Sequence, residues 1–273
     1  MIAATVVAPS LAGSSFPRPA AAFLRTRLLS PGDALPGSAS RLASGCRVAR
    51  GGGARRPQIP FAAEGGAVGD AFVIEGTTNV KFSRELMVPG STEPLIVLGT
   101  GYRDKFFVKV YAAAFYVDYS IGVDTEQWRK KVGIETFDAS TVFDSIFKAP
   151  VLKSLSITLV RDVDGKTFMK ALDDVIARQI KKPTAEEESS LSTFRNIFLG
   201  RNLKQGTSIY LTWSGPSVML ISISTNQDAS QVDAEIKSAS VNYALYDGFF
   251  GSSPVSPTLR SSTAQLLEAL LTK

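Results

Sequence analysis

Arg103 and Tyr111 are the two side chains whose types and setting point most directly to chemistry. Arg103 follows Gly99-Thr100-Gly101, and Tyr111 lies in the apolar, aromatic run 106–117 with Val108, Val110, Phe115, the small residues Ala112 to Ala114 and a second tyrosine, Tyr116. A guanidinium in such surroundings needs an anion, because burying an unpaired charge is costly. A carboxylate suits it, since the fork of N–H groups binds two oxygens at once, and a tyrosine hydroxyl adds one more donor. That anion is either a bound ligand, for which the alanines leave room, or an internal Asp or Glu; a surface position for Arg103 is the further alternative.

Other chemistries find little support. The chain has no histidine, which removes the commonest general base and the commonest metal ligand. Serines and threonines therefore lack the usual activating partner. The lone cysteine, Cys46, lies in the N-terminal stretch, so the remainder has no thiolate or disulfide chemistry. Glu186-Glu187-Glu188 fits a solvated helix face better than a metal site. Gly99-Thr100-Gly101 lacks the third glycine and the following helix of a dinucleotide loop, and is expected to be a tight turn at a strand end. Arg161, Asp162, Asp164 and Lys166 are expected at a strand-to-helix turn, with Asp164 as N-cap. No cofactor or metal is implied.

The 273 residues suffice for one large domain or two small ones, and 44% hydrophobic content permits a sizeable core. The net charge of +5 is unevenly placed. Residues 1–63 hold eight Arg, no Lys and one acid, Asp33, for a net +7, while the remainder has 22 basic and 24 acidic residues. The domain thus carries no electrostatic footprint for nucleic acid. An Arg-rich, Ser-containing, acid-poor leader is the composition of an organelle transit peptide, and its Pro and Gly favour the chloroplast over the mitochondrion. Cleavage is expected near Ala62 or Ala63, leaving a domain of residues 64–273. No apolar run reaches the length of about 18 residues that a membrane-spanning helix needs.

Strands are expected over 79–88, ending at Pro89-Gly90, then 95–98, 106–117 and 155–163, with a hairpin of 206–213 and 218–225 around Ser214-Gly215-Pro216. Helical patterns cover 125–132, 138–147, 166–180, 184–199, 240–250 and 257–271. Thr184 and Glu187 have capping-box spacing. This order indicates an α+β domain, a largely antiparallel sheet covered by helices.

Leu98-Gly-Thr-Gly-Tyr-Arg103 followed by Val108-Lys-Val-Tyr-Ala112 resembles the signature strands of the chalcone isomerase fold family. The likeness continues through Val160-Arg-Asp-Val-Asp-Gly-Lys-Thr-Phe168, Ser192-Thr-Phe-Arg195 and Phe249-Phe-Gly-Ser-Ser-Pro-Val-Ser-Pro-Thr-Leu259, and spans roughly residues 75–273. It is strongest to the plant chloroplast branch, the chalcone-isomerase-like fatty-acid-binding proteins. The resemblance implies an open-faced β-sandwich, a large antiparallel sheet with a helical layer and a smaller sheet. It also implies a stromal protein that binds a free fatty acid, whose carboxylate Arg103 and Tyr111 would hold. Tyr116 does not match the family's carboxylate tyrosine. The catalytic branch relies on a Tyr and an Asn whose positions correspond here to Phe168 and Val175, with its substrate-contacting Thr residues at Tyr111 and Gly248. Phe168 and Val175 offer no hydrogen bond, so the resemblance implies binding without catalysis. Isomerase activity and a ligand-free interaction role are the alternatives. For the acyl pocket, Phe115, Phe168 and Leu172 are the nominees.

The eight-residue separation of Arg103 and Tyr111 is several residues shorter than in those relatives. On one straight strand it spans roughly 26 Å, too far for a shared carboxylate. The chain must fold back between them. Asp104-Lys105 is the better turn, because a hairpin centred on Phe107 places a poor turn residue at its tip.

Overall fold

A computed structural model describes residues 71–272. The proposed leader, 1–63, and Cys46 lie outside the described residues. In chain order the elements are β1 (Phe72–Ile74), β2 (Lys81–Ser83), β3 (Glu85–Leu86), β4 (Leu95–Lys105), β5 (Val108–Asp118), α1 (Ser120–Val123), α2 (Thr125–Val132), α3 (Val142–Lys148), β6 (Lys153–Leu159), β7 (Val163–Asp164), α4 (Gly165–Gln179), α5 (Ala185–Phe198), β8 (Asn202–Leu203), β9 (Ser208–Gly215), β10 (Val218–Ser224), β11 (Ala234–Ile236), α6 (Ala239–Phe250) and α7 (Pro257–Leu271).

Seven strands form one antiparallel sheet in the order β11-β10-β9-β6-β5-β4-β3, and the pairs β1-β2 and β7-β8 form two small sheets. The fold is the α+β class expected from the element pattern. Successive side chains of a strand point to opposite faces, and β5 shows what this does. Tyr111, Ala113, Phe115 and Val117 enter the large core shared with the helices, while Ala112, Ala114 and Tyr116 enter a second, smaller core with Phe82 of β2. The two tyrosines of one strand therefore serve different layers. The Tyr116 hydroxyl donates to the Ser83 carbonyl at 2.9 Å on the far face.

The helices end where side-chain chemistry directs. Asp164 accepts from the Thr167 N–H at 3.0 Å and caps α4. Thr184 and Glu187 close the expected capping box on α5. Glu186, Glu187 and Glu188 occupy its first turn, where negative charge complements the helix dipole.

Three expectations need correction. The stretches 79–88 and 155–163 are not single strands: the first is the separate pieces β2 and β3, and the second ends at Leu159, with Val163 in the separate β7-β8 pair. Gly99-Thr100-Gly101 is not a turn; it lies within β4. The reason is helix α7, which lies on the strand so closely that a β-carbon at Gly99 would overlap Thr263, and one at Gly101 would overlap Leu259. Helix α7 also satisfies the backbone along β4 beyond the short reach of β3. The Ser256 hydroxyl donates to Tyr102 O (2.7 Å), Ser262 donates to Thr100 O (2.6 Å), and Tyr102 N–H donates to Thr258 Oγ1 (3.0 Å). The third correction is the turn after Arg103, which the site itself explains.

Candidate carboxylate-binding site

Strands β4 and β5 are joined by Phe106-Phe107, not by Asp104-Lys105. Lys105 pairs with Val108 and Asp104 with Lys109, whereas Arg103 pairs with Tyr111. The register slips by one residue between these pairs, so Val110 is the extra residue of a β-bulge. A two-residue hairpin turn needs φ > 0 at both central positions in its type I′ form. Phe106 at φ 52° and Phe107 at φ 64° supply this without glycine. The fold-back and the bulge together set Arg103 directly opposite Tyr111 on the helical face. Directly opposed side chains have β-carbons about 4.5–5.5 Å apart. The short spacing in sequence is thus what places the pair side by side.

A cavity of about 570 Å³ opens beside this pair. Its walls are the hairpin, the 161–164 segment and the first turns of α4. Its lining includes the exposed Lys105, Phe106 and Val108 and the buried Tyr111, Phe168 and Leu172. Helix α4 is fixed there by the Asp164 cap and by Gly165, whose N–H donates to Arg201 O at 2.9 Å and where a β-carbon would overlap Phe198 O. Phe168, 5.3 Å from the Phe198 ring, is held in turn by α5.

Tyr111 is 2% exposed, and its hydroxyl has no hydrogen-bond partner among the described residues. Burial pushes its pKa up to about 12; the nearby positive Arg103 opposes the rise without removing it. Arg103 acts both through its charge and through an N–H turned toward the hydroxyl, but the approach falls short of hydrogen-bonding geometry. Arg103 is half-buried and has no Asp or Glu partner within 4 Å among the described residues. Three acids line the cavity: Asp162 pairs with Lys204 at 2.8 Å, Asp164 caps α4, and the exposed Asp174 makes no ion pair with Arg103 among the described residues. Among the described residues Arg103 is thus a half-buried cation without a carboxylate partner. A buried donor and this cation share the wall of one cavity, an arrangement able to hold a small carboxylate and an apolar body beside it.

Of the other nominated residues, Phe168 and Leu172 line the cavity and Phe115 does not. Phe115 packs into the aromatic core, 4.5 Å from the Phe250 ring and 6.1 Å from Tyr246. Val175 and Gly248 also lie away from the cavity lining; a β-carbon on Gly248 would overlap Val175 Cγ1. Thr167 and Ala171 of α4 complete the lining but were not legible as site residues. Ala171 alone carried a signal, its i+3 spacing from Phe168.

The family profile described as Chalcone-flavanone isomerase matches residues 77–270. The chain belongs to the chalcone-flavanone isomerase family. Among relatives, chalcone–flavanone isomerase 1B-1 of Glycine max is 24% identical over 194 residues, covering 68% of this chain and 86% of the relative. Chalcone isomerase-like protein 2 of Humulus lupulus is 27% identical over 192 residues, covering 67% and 91%. The crystal structure of an Arabidopsis thaliana fatty-acid binding protein superposes with a TM-score of 0.58 at 18% identity, covering 74% of this chain and all of that one. At that identity the likeness establishes the chalcone isomerase fold, the open-faced sandwich expected from the motifs. The family thus contains members named for catalysis and members named otherwise, and residues at the cavity must distinguish them.

Proposed function

We propose that the protein binds a free fatty acid without catalysing its conversion, with the carboxylate held by Arg103 and Tyr111 and the acyl chain in the adjoining cavity. The observation that carries this reading is the buried, unpartnered Tyr111 hydroxyl beside an unpaired Arg103. A carboxylate would accept from both, removing an unsatisfied donor and pairing a half-buried cation. A cavity of about 570 Å³ lies within the range of small-ligand sites, roughly 300–1,000 Å³. For a twelve-carbon acid, burying eleven chain carbons contributes about 9 kcal/mol gross, at about 0.8 kcal/mol each. The chain therefore supplies most of the affinity, and the polar pair sets the orientation.

The Arabidopsis neighbour, a fatty-acid binding protein by its name, supports this reading. Chalcone–flavanone isomerase activity is the second reading, favoured by the names of several relatives. Phe168 weighs against it, because at the cavity wall it brings a ring with no hydrogen-bonding group. The Arg-rich composition of residues 1–63 supports import into the plastid, so we place the binding step in the stroma, in support of fatty-acid metabolism. Mass spectrometry of ligands extracted from the purified protein, then titration of the delipidated protein with dodecanoate and longer acids, tests the proposal. Extraction of a fatty acid and saturable rebinding are expected. No extracted acid and no rebinding would overturn it.

A further inference from the structure

Residues 105–109 have a feature that folding does not explain. Phe106 is 84% exposed and Phe107 fully exposed, and both are in the left-handed backbone region at φ 52° and 64°. Aromatic residues adopt this conformation only under strain, whereas Asn-Gly forms the same turn freely. The tip thus combines backbone strain with apolar surface in water, and neither stabilises the fold. Strain of this kind points to a use at the position where it is found.

The surroundings narrow that use. Exposed Lys105 and Lys109 flank the aromatic pair, with Asp104 beside them; the Lys105 ammonium stands 5.8 Å from the Phe106 ring centroid, and Lys109 Nζ donates to Thr77 O. The patch is two aromatic side chains at a hairpin end, far fewer than the roughly 20–30 residues a side of a stable protein–protein interface. Apolar side chains framed by lysines match a bilayer interface, where rings enter the acyl boundary and ammonium groups meet anionic headgroups. Phe106, Val108 and Lys105 also line the cavity. We propose that the Phe106-Phe107 tip docks on an anionic lipid bilayer and turns the exposed lining of the cavity to that surface, so that fatty acid passes between bilayer and cavity at the interface. This deepens the fatty-acid reading above and rests on it for the identity of the cargo.

The test uses the full chain carrying Phe107→Trp as a reporter, a residue that does not line the cavity. The native Trp128 and Trp213 are buried, so red-shifted emission reports position 107 alone. Vesicles of phosphatidylcholine with a quarter phosphatidylglycerol should shift that emission to the blue, and lipids brominated on their acyl chains should quench it. With Phe107→Ser, transfer of a bound fluorescent fatty acid to the same vesicles should slow about tenfold, while affinity for dodecanoate without vesicles stays unchanged. Absence of the shift and quenching would overturn the docking, as would a blue shift that grows with protein concentration without lipid, which marks self-association through the tip. Equal quenching on phosphatidylcholine alone would overturn the anionic preference. Failure of the wild-type chain to bind dodecanoate would sink the fatty-acid reading, while the reporter at position 107 still decides the docking.

Discussion

Val175 Cγ1 occupies the space that a β-carbon on Gly248 would need. Helices α4 and α6 meet there, the Val175 side chain of α4 against the bare backbone of Gly248 in α6. These two positions, at which the resemblance places polar groups in the catalytic relatives, are here used up by each other. Gly248→Ala should overpack the contact and destabilise the fold by about 1–3 kcal/mol. Val175→Ala in the same chain should restore much of that loss. A urea double-mutant cycle checks the coupling; additive effects would mean that the two residues do not share the space.

Arg103→Ala should weaken binding of a free fatty acid by about 1.5–3 kcal/mol, the contribution of a hydrogen bond to a charged group, or roughly ten- to a hundredfold. Binding of the methyl ester, which carries no charge, should be little changed. Isothermal titration with both ligands reads the difference, and equal losses would remove the carboxylate role.

Tyr111→Phe separates stability from binding. The hydroxyl is buried without a partner, and an unsatisfied buried group costs about 1–3 kcal/mol. Its removal should raise the melting temperature of the ligand-free protein and weaken fatty-acid binding. A variant that binds as tightly as wild type would show that the hydroxyl does not touch the ligand.

Phe106→Asn with Phe107→Gly should stabilise the ligand-free protein, because these residues enter the left-handed region of a type I′ turn without the strain of an aromatic residue. A gain of about 1–3 kcal/mol in chemical denaturation is expected, from about 1–2 kcal/mol at each relieved position less about 0.5–1 kcal/mol for the glycine's chain entropy. A loss of stability would mean that the aromatic pair contributes contacts that outweigh its backbone.

Lys153 predicts the pH dependence. Its side chain is fully buried, donating to Ala149 O at 3.0 Å and Val151 O at 3.1 Å, with the Phe147 ring centroid 5.9 Å away. Burial pushes its pKa from the ordinary 10.5 down to about 7. Below about pH 7 folded and unfolded chains both hold the proton, and stability is flat in this group. Above it the unfolded chain alone stays protonated, so stability rises with pH by at most about 1.4 kcal/mol per unit. Urea midpoints between pH 7 and 9 check this, and Lys153→Met should remove the slope. The window stops short of the tyrosine range, since the raised pKa of buried Tyr111 acts in the opposite sense above pH 10.

Much of the architecture was legible because it rests on local rules. The α2 and α7 spans emerged from helical patterning, and α5 also from Thr184 and Glu187. Arg103 and Tyr111 were legible as a pair because a cation beside small and aromatic residues demands an anion. Their geometry was not. Turn preferences exclude Phe-Phe, and no local pattern announces that Val110 will bulge or that α7 will press on Gly99 and Gly101. These features arise from contacts between segments far apart in sequence. Lys153 escaped notice for the same reason, as a lysine at the start of a strand gives no sign that helix α3 and the next strands will enclose it.

The bonds from Ser256, Thr258 and Ser262 to the backbone of β4 span 154 to 162 positions of chain. The strand carrying Arg103 leaves the ribosome long before the helix that covers it, at a stage when its glycine-rich half has neither a packing surface nor partners for Thr100 and Tyr102. Contacts so distant in sequence form late and slow folding. Ligand capture is therefore an event of the finished chain: a nascent polypeptide halted before α7 holds both residues of the pair but not the support that fixes their strand.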